Sequence, residues 1–220
     1  MKRTGWMGRV LAVLACCTGC AAPGADKAGG PELPAGAKFF RSHLNEERGA
    51  PPEPILLFGT AAFLGDLIAD NSTFHAVGVQ TVADLEAVVA QTPCIGLLAG
   101  SPRGEAGAAG RAIRAFRASK SAGEFVFYLP ATREVEIGAV RAVEYGADAL
   151  MMSPMEGNEL LQSILAVLRR VKTGVPRPTT VAQHVALLRE LLPTSFFWEL
   201  QGLPPEAYKE GMYVDPEREY

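Results

Sequence analysis

The residues with chemical reach are few and scattered. Cys16, Cys17 and Cys20 stand together near the start, and Cys94 lies apart in an apolar run. Cys17-Thr18-Gly19-Cys20 has the CxxC spacing of a redox or metal pair, but it sits in an apolar leader. No second pair or neighbouring histidine completes a zinc site. Cys94 reads as a small buried hydrophobe. His43, His75 and His184 are not at ligand spacing and read as structural or solvated. No Ser-His-Asp or Cys-His order falls at strand ends. One Gly-rich loop, AGSPRGEAGAAG from Ala99 to Gly110, precedes a helix whose N-terminus could hold an anion, with Arg103 and Arg111 as cations. It lacks both GxxxxGK(S/T) and GxGxxG, so a plain strand-to-helix loop is the simpler reading. Arg111, Arg114, Arg117 and Lys120 recur every three residues and make a positive stripe, either a solvated face or a dock for an acidic partner.

These groups are carried by a regular alternation of elements. Of the 220 residues, 48% are apolar and 20% charged, as in a globular chain. The net charge of -3 gives no electrostatic case for nucleic acid, which needs clustered Lys and Arg. Ile55 to Phe58, His75 to Gln80, Cys94 to Leu98, Phe125 to Leu129 and Ala149 to Met152 read as buried strands, being short apolar or β-branched runs between breakers. Between and after them lie helical patterns at Ala61–Asp70, Val82–Ala90, Arg111–Ser119, Glu134–Tyr145 and Glu159–Val171. The first is read with Phe63, Leu64, Leu67 and Ile68 on its buried face. Alternating strands and helices imply an α/β fold, a doubly wound parallel sheet of five strands in the flavodoxin-like order 2-1-3-4-5. Residues 54–171 make this domain.

Residues 1–20 read as a leader. The start is basic (MKRTGWMGR), the run VLAVLACC is apolar, and small residues precede Cys20. The run is too short to span a bilayer. It resembles a bacterial lipoprotein signal with Cys20 as the lipidated residue, or less well Cys16. The other reading is a mis-assigned start on a cytoplasmic protein. A lipid at Cys20 would be the only membrane contact. Residues 21–53 are an Ala/Gly/Pro-rich linker with room for one short helix from Lys38, ended by prolines. Residues 172–220 hold a linker, GVPRP, and then a helix capped by Thr179 or Thr180 with Val181, Val185, Leu188 and Leu191 on one side. An aromatic tail with Phe196, Phe197, Trp198, Tyr208 and Tyr213 follows. It either packs back on the domain or forms a partner surface.

GADALMMSP with the helix after it, and GRAIRAFRAS after the third strand, resemble a CheY-like receiver domain, the phospho-accepting module of two-component signalling. The resemblance covers Pro54 to Val171. It implies paired acids after strand 1 and an acceptor Asp after strand 3 that together hold Mg²⁺, then a Ser/Thr after strand 4, an aromatic in strand 5 and a Lys after it. In this sequence the acids fall on Gly59 and Thr60, the acceptor on Ala99, the Ser/Thr on Pro130, the aromatic on Leu150 and the Lys on Ser153. Ser101 is the nearest hydroxyl to the acceptor position. The charged groups that phosphoryl transfer needs are absent from the positions that should carry them. The expectation is a pseudo-receiver with no cofactor and no bound metal. It would meet a protein partner through the helix 4, strand 5 and helix 5 face, with Leu150, Arg111, Arg114, Arg117 and Trp198 as contact residues. The alternative is a small-ligand- or anion-binding domain using the loop after strand 3.

Overall fold

The computed structural model describes residues 33–45, 53–119, 123–132, 134–152 and 157–192. All of them belong to one compact unit. Among the described residues the strands are β1 (Lys38–Phe40), β2 (Ile55–Gly59), β3 (Ala76–Val79), β4 (Gly96–Gly100), β5 (Phe125–Leu129) and β6 (Ala149–Leu150). The α-helices are α1 (Gly65–Asn71), α2 (Val82–Gln91), α3 (Ala108–Ser119), α4 (Val135–Tyr145), α5 (Gly157–Lys172) and α6 (Val181–Leu191). The sheet order is β1-β3-β2-β4-β5-β6. β3 to β6 and β2 pair in parallel, and β1 adds antiparallel to β3. The fold is thus α/β, a mostly parallel sheet between helical layers.

The central strands are apolar on both faces because helices cover both. Every residue of β2, β3, β4 and β5 is buried. Alternate side chains feed two cores. Leu56, Phe58, Val77, Leu97 and Val126 face the layer holding Leu85, Val88, Ile113 and Phe116 of α2 and α3. Ile55, Leu57, Leu98, Phe125 and Phe127 face Ile68 of α1 and Leu160, Ile164 and Val167 of α5. Local chemistry sets the helix ends. Thr81 caps α2 by accepting from the Asp84 amide at 3.1 Å. Gly146, at φ 76°, stops α4 and donates its amide to the Ala142 and Val143 carbonyls.

Two expectations about the ends of the domain are corrected. The segment from Lys38 opens not as a helix but as the strand β1, followed by a 3-10 turn at His43–Asn45, and residues 46–52 lie outside the described residues. Phe40 enters one core and Phe39 packs against the other, as a strand's alternation requires. Phe40 lies so close over Gly65 that a Cβ there would collide with its ring. The first helix also departs from its pattern. It opens as a 3-10 turn over Thr60–Leu64, which turns Phe63 outward to 61% exposure instead of burying it.

At the opposite edge, β6 has only two residues and is covered by α6, which also touches α4 and α5. Thr180 caps α6 in a reciprocal box with Gln183. The buried residues are His184, Leu187 and Leu188, with Val181, Val185 and Leu191 packed around them. Leu188 joins the core with α2 and α3, whereas Leu187 joins the core with α1 and α5. α6 therefore straddles the edge of the sheet. Among the described residues, no helix is long and apolar enough to cross a membrane.

Candidate functional site

Folds of this class place their chemistry at the carboxyl ends of the parallel strands. Gly59 ends β2 and Gly100 ends β4, and the two are partners in register. Gly100 in turn pairs with Leu129, the last residue of β5 before Pro130. Gly59, Thr60, Ala99 and Pro130 thus come to one corner. Ser153, like Cys20 and Trp198, lies outside the described residues.

The corner is filled by backbone. Gly59 has φ 61° and ψ -124°, a conformation that favours glycine. A Cβ at this position would collide with the Gly100 carbonyl oxygen and stand 2.9 Å from Pro102 Cδ. A Cβ at Gly100 would collide with Thr60 Oγ1. Gln80 Nε2 donates to the Gly59 carbonyl at 3.4 Å. Ala99 is wholly buried between its register partners Phe58 and Tyr128. Pro130 lies over Gly138 of α4, where an added Cβ would meet Pro130 Cγ at 3.3 Å and Leu150 Cδ1 at 3.2 Å. Burial first, and then Tyr145, raise the Tyr128 phenol above its ordinary pKa against the opposing pull of Arg141, so it stays protonated near neutrality. Among the described residues, no three His, Cys, Asp or Glu side chains gather as a metal site would need.

The Gly-rich loop resolves into two successive turns. Glu105 donates its amide to the Pro102 carbonyl at 3.1 Å, and Ala108 donates to Glu105 at 3.2 Å. Gly104 (φ 82°) and Gly107 (φ 77°) take the position in each turn that needs positive φ. Ser101 Oγ then accepts from the Ala109 amide at 3.1 Å. Ser101 caps α3, and amides that an anion would use are already engaged.

The contact residues separate. Arg111 is exposed. Arg114 is exposed and stands 6.0 Å from the Tyr145 ring centre, within reach of a cation–π contact. Arg117 is not a free member of a stripe. Its guanidinium pairs with Asp148 Oδ2 at 2.6 Å and donates to the Glu124 carbonyl at 3.0 Å. The same carboxylate oxygen accepts from the Val126 amide at 2.6 Å. This pair ties the end of α3 to the starts of β5 and β6. Leu150 is 1% exposed and so is covered while α6 is docked. The face expected to meet a protein partner (α4, β6 and α5) is occupied by α6. The periodicity of residues 181–191 marks a helix with an apolar side but not the surface that side covers.

Of the two readings offered for the histidines, structural or solvated, His75 and His184 take the first, since both are buried. His75 Nδ1 accepts from the Ser42 amide at 3.0 Å, and Ser42 Oγ donates to the Ser72 carbonyl. Burial first and Arg41 second hold His75 below its ordinary pKa. The Phe39 ring lies 5.3 Å away, so these contacts fasten the segment after β1. His184 is wholly buried, and among the described residues neither ring nitrogen meets a hydrogen-bond partner. Burial lowers its pKa, and the Pro178 carbonyl opposes the shift without meeting hydrogen-bond geometry.

No protein-family model matches the sequence, and no curated relative does. Solved structures similar to this chain include a CheY-like response regulator receiver domain protein from Methanospirillum hungatei JF-1. It is 17% identical at a TM-score of 0.45, over 56% of this chain and 98% of that one. A signal receiver domain of a LuxO-type repressor protein from Vibrio parahaemolyticus is 17% identical at a TM-score of 0.43, over 56% of this chain and 94% of that one. The pilus assembly protein CpaE from Caulobacter crescentus CB15 is 16% identical at a TM-score of 0.37, over 56% of this chain and 93% of that one. At these values the strand order, and not the likeness, carries the fold.

Proposed function

We propose that the chain is a non-catalytic receiver-like signalling module that acts by protein contact and takes no phosphate. The observation that carries this reading is the corner at Gly59 and Gly100, where one strand's backbone fills the space a side chain would need. The resemblance carried by GADALMMSP and GRAIRAFRAS points to the receiver fold. The same alignment leaves Gly59, Thr60 and Ala99 where carboxylates would bind Mg²⁺. Ser101 offers no substitute nucleophile, since its oxygen is turned to the Ala109 amide. In the alternative, an anion site in the loop, the Glu105 and Ala108 amides are taken up by the two turns.

With the α4, β6 and α5 face covered, the contact surface moves to the exposed cations of α3, Arg111 and Arg114, and its partner is an acidic protein surface. A lipid at Cys20 would tether this module to a membrane, and palmitate labelling lost in Cys20→Ser would support the tether. The decisive test of the main reading is a beryllofluoride titration with Mg²⁺, followed by amide NMR. The expected outcome is no saturable change at the corner. Mg²⁺-dependent saturation there would overturn the reading.

A further inference from the structure

The helix that covers the α4, β6 and α5 face carries a flaw at its centre. Leu187 and Leu188 anchor α6 in the two cores, and one turn before Leu188 stands His184, wholly buried. A neutral imidazole has one N–H donor and one acceptor nitrogen. Both are desolvated at this position, and among the described residues neither meets a partner in hydrogen-bond geometry. An apolar side chain of similar volume would hold α6 more firmly. The docking face therefore includes a group that weakens docking even when it is uncharged.

The neighbouring charges do not help it. β6 supplies Ala149 and Leu150, and Asp148 before them is engaged by Arg117 and the Val126 amide. On α4, Arg141 and Glu144 pair with one another at 2.6 Å, Glu134 and Glu136 lie exposed about its start, and Tyr145 faces Tyr128. On α5, Arg170 reaches Glu190 of α6 at 3.9 Å, and Glu159, Arg169 and Lys172 lie elsewhere along the helix. Arg189 lies exposed on α6, and Arg177, in the segment before it, reaches toward Gly146. Among the described residues none of these charges bears on the His184 ring; burial lowers its pKa and the Pro178 carbonyl opposes that shift.

We propose that α6 is an acid-released cover, with His184 as its release. A protonated ring in that seat would be an unpaired buried cation, so the helix must leave for the ring to charge. Released, the ring recovers the ordinary pKa of 6.5. Opening is then favoured by up to about elevenfold at pH 5.5 relative to a fully neutral ring. Departure of α6 uncovers Leu150 and the α4 and α5 surfaces beside it. The device is independent of whether the corner at Gly59 takes phosphate.

The test is hydrogen exchange on the full chain at pH 7.5 and 5.5, corrected for intrinsic rates. The expected result is that peptides over residues 181–191 lose up to about tenfold in protection at pH 5.5, and more than those over β2 and β4 lose. His184→Gln and His184→Leu should keep their protection at both values. Unchanged protection in wild-type α6, or loss spread evenly over the sheet, would overturn the proposal. So would a His184→Gln variant with the wild-type pH dependence. If neither variant folds, an imidazole NMR titration of the unaltered chain decides. Protonation of His184 together with loss of the docked α6 signals supports release, and protonation with those signals in place refutes it.

Discussion

Gly59 shows how one backbone angle can decide a chemistry. Its φ of 61° and its contact with the Gly100 carbonyl leave no room for any side chain, so a carboxylate cannot be restored there by substitution. Gly59→Asp should destabilise the fold by about 3 kcal/mol or more and gain no Mg²⁺ affinity, by urea unfolding and calorimetry. Thr60→Asp, at an exposed position, should cost no more than about 1 kcal/mol, which separates the loss of space from the gain of charge. At this scale the sequence was informative about absence: Gly59, Ala99 and Pro130 could be read as lacking carboxylate or hydroxyl without knowing their geometry. It was mute about His184 and Asp148. A lone histidine on a helix and an acid before a strand have the same letters whether they are solvated or buried, and only the packing of α6 and α3 decides.

Elements differ in how visibly they announce themselves. β2, β4 and β5 were legible because a strand covered on both faces must be a continuous apolar run, as in ILLFG and FVFYL. β1 was not, because three residues carry no period and their partner β3 lies far along the chain. Its attachment is sensitive to acid. His75 has a folded-state pKa below the ordinary 6.5, so the unfolded chain binds the proton first as pH falls. The stabilisation is therefore complete above about pH 6.5 and is lost as pH falls from there through the lowered value. Urea midpoints measured from pH 7.5 to 5 should decline in the wild type, and His75→Gln together with His184→Gln should flatten the slope. The α3 tether is electrostatic and largely buried, with side-chain exposures of 21% for Arg117 and 9% for Asp148. Asp148→Ala should cost about 3 kcal/mol, since it strands both the guanidinium and the Val126 amide, and Asp148→Asn less. Equilibrium denaturation of the two variants checks the ranking.

In the whole molecule, β1 and α6 extend a five-stranded parallel unit at its two sides. Removing residues 174–220 should lower the urea midpoint and raise dye binding to exposed apolar surface, because Leu187 and Leu188 leave both cores together. Retention of the full midpoint would mean that α6 adds nothing to the fold. There is a consequence for behaviour in a crowded solution. A parallel sheet ends in two rows of unpaired amides and carbonyls, which template further strands and so begin fibrils. Here one margin is a strand of three residues led by a solvated Lys38, and the other is a strand of two residues under a helix. While α6 is docked, neither offers a foreign chain enough ladder to grow on. The resistance is unequal: the lysine-led margin is always shielded, whereas the other is only as safe as α6 is docked. Self-association, followed by light scattering, should begin from the β6 margin and should quicken in mild acid.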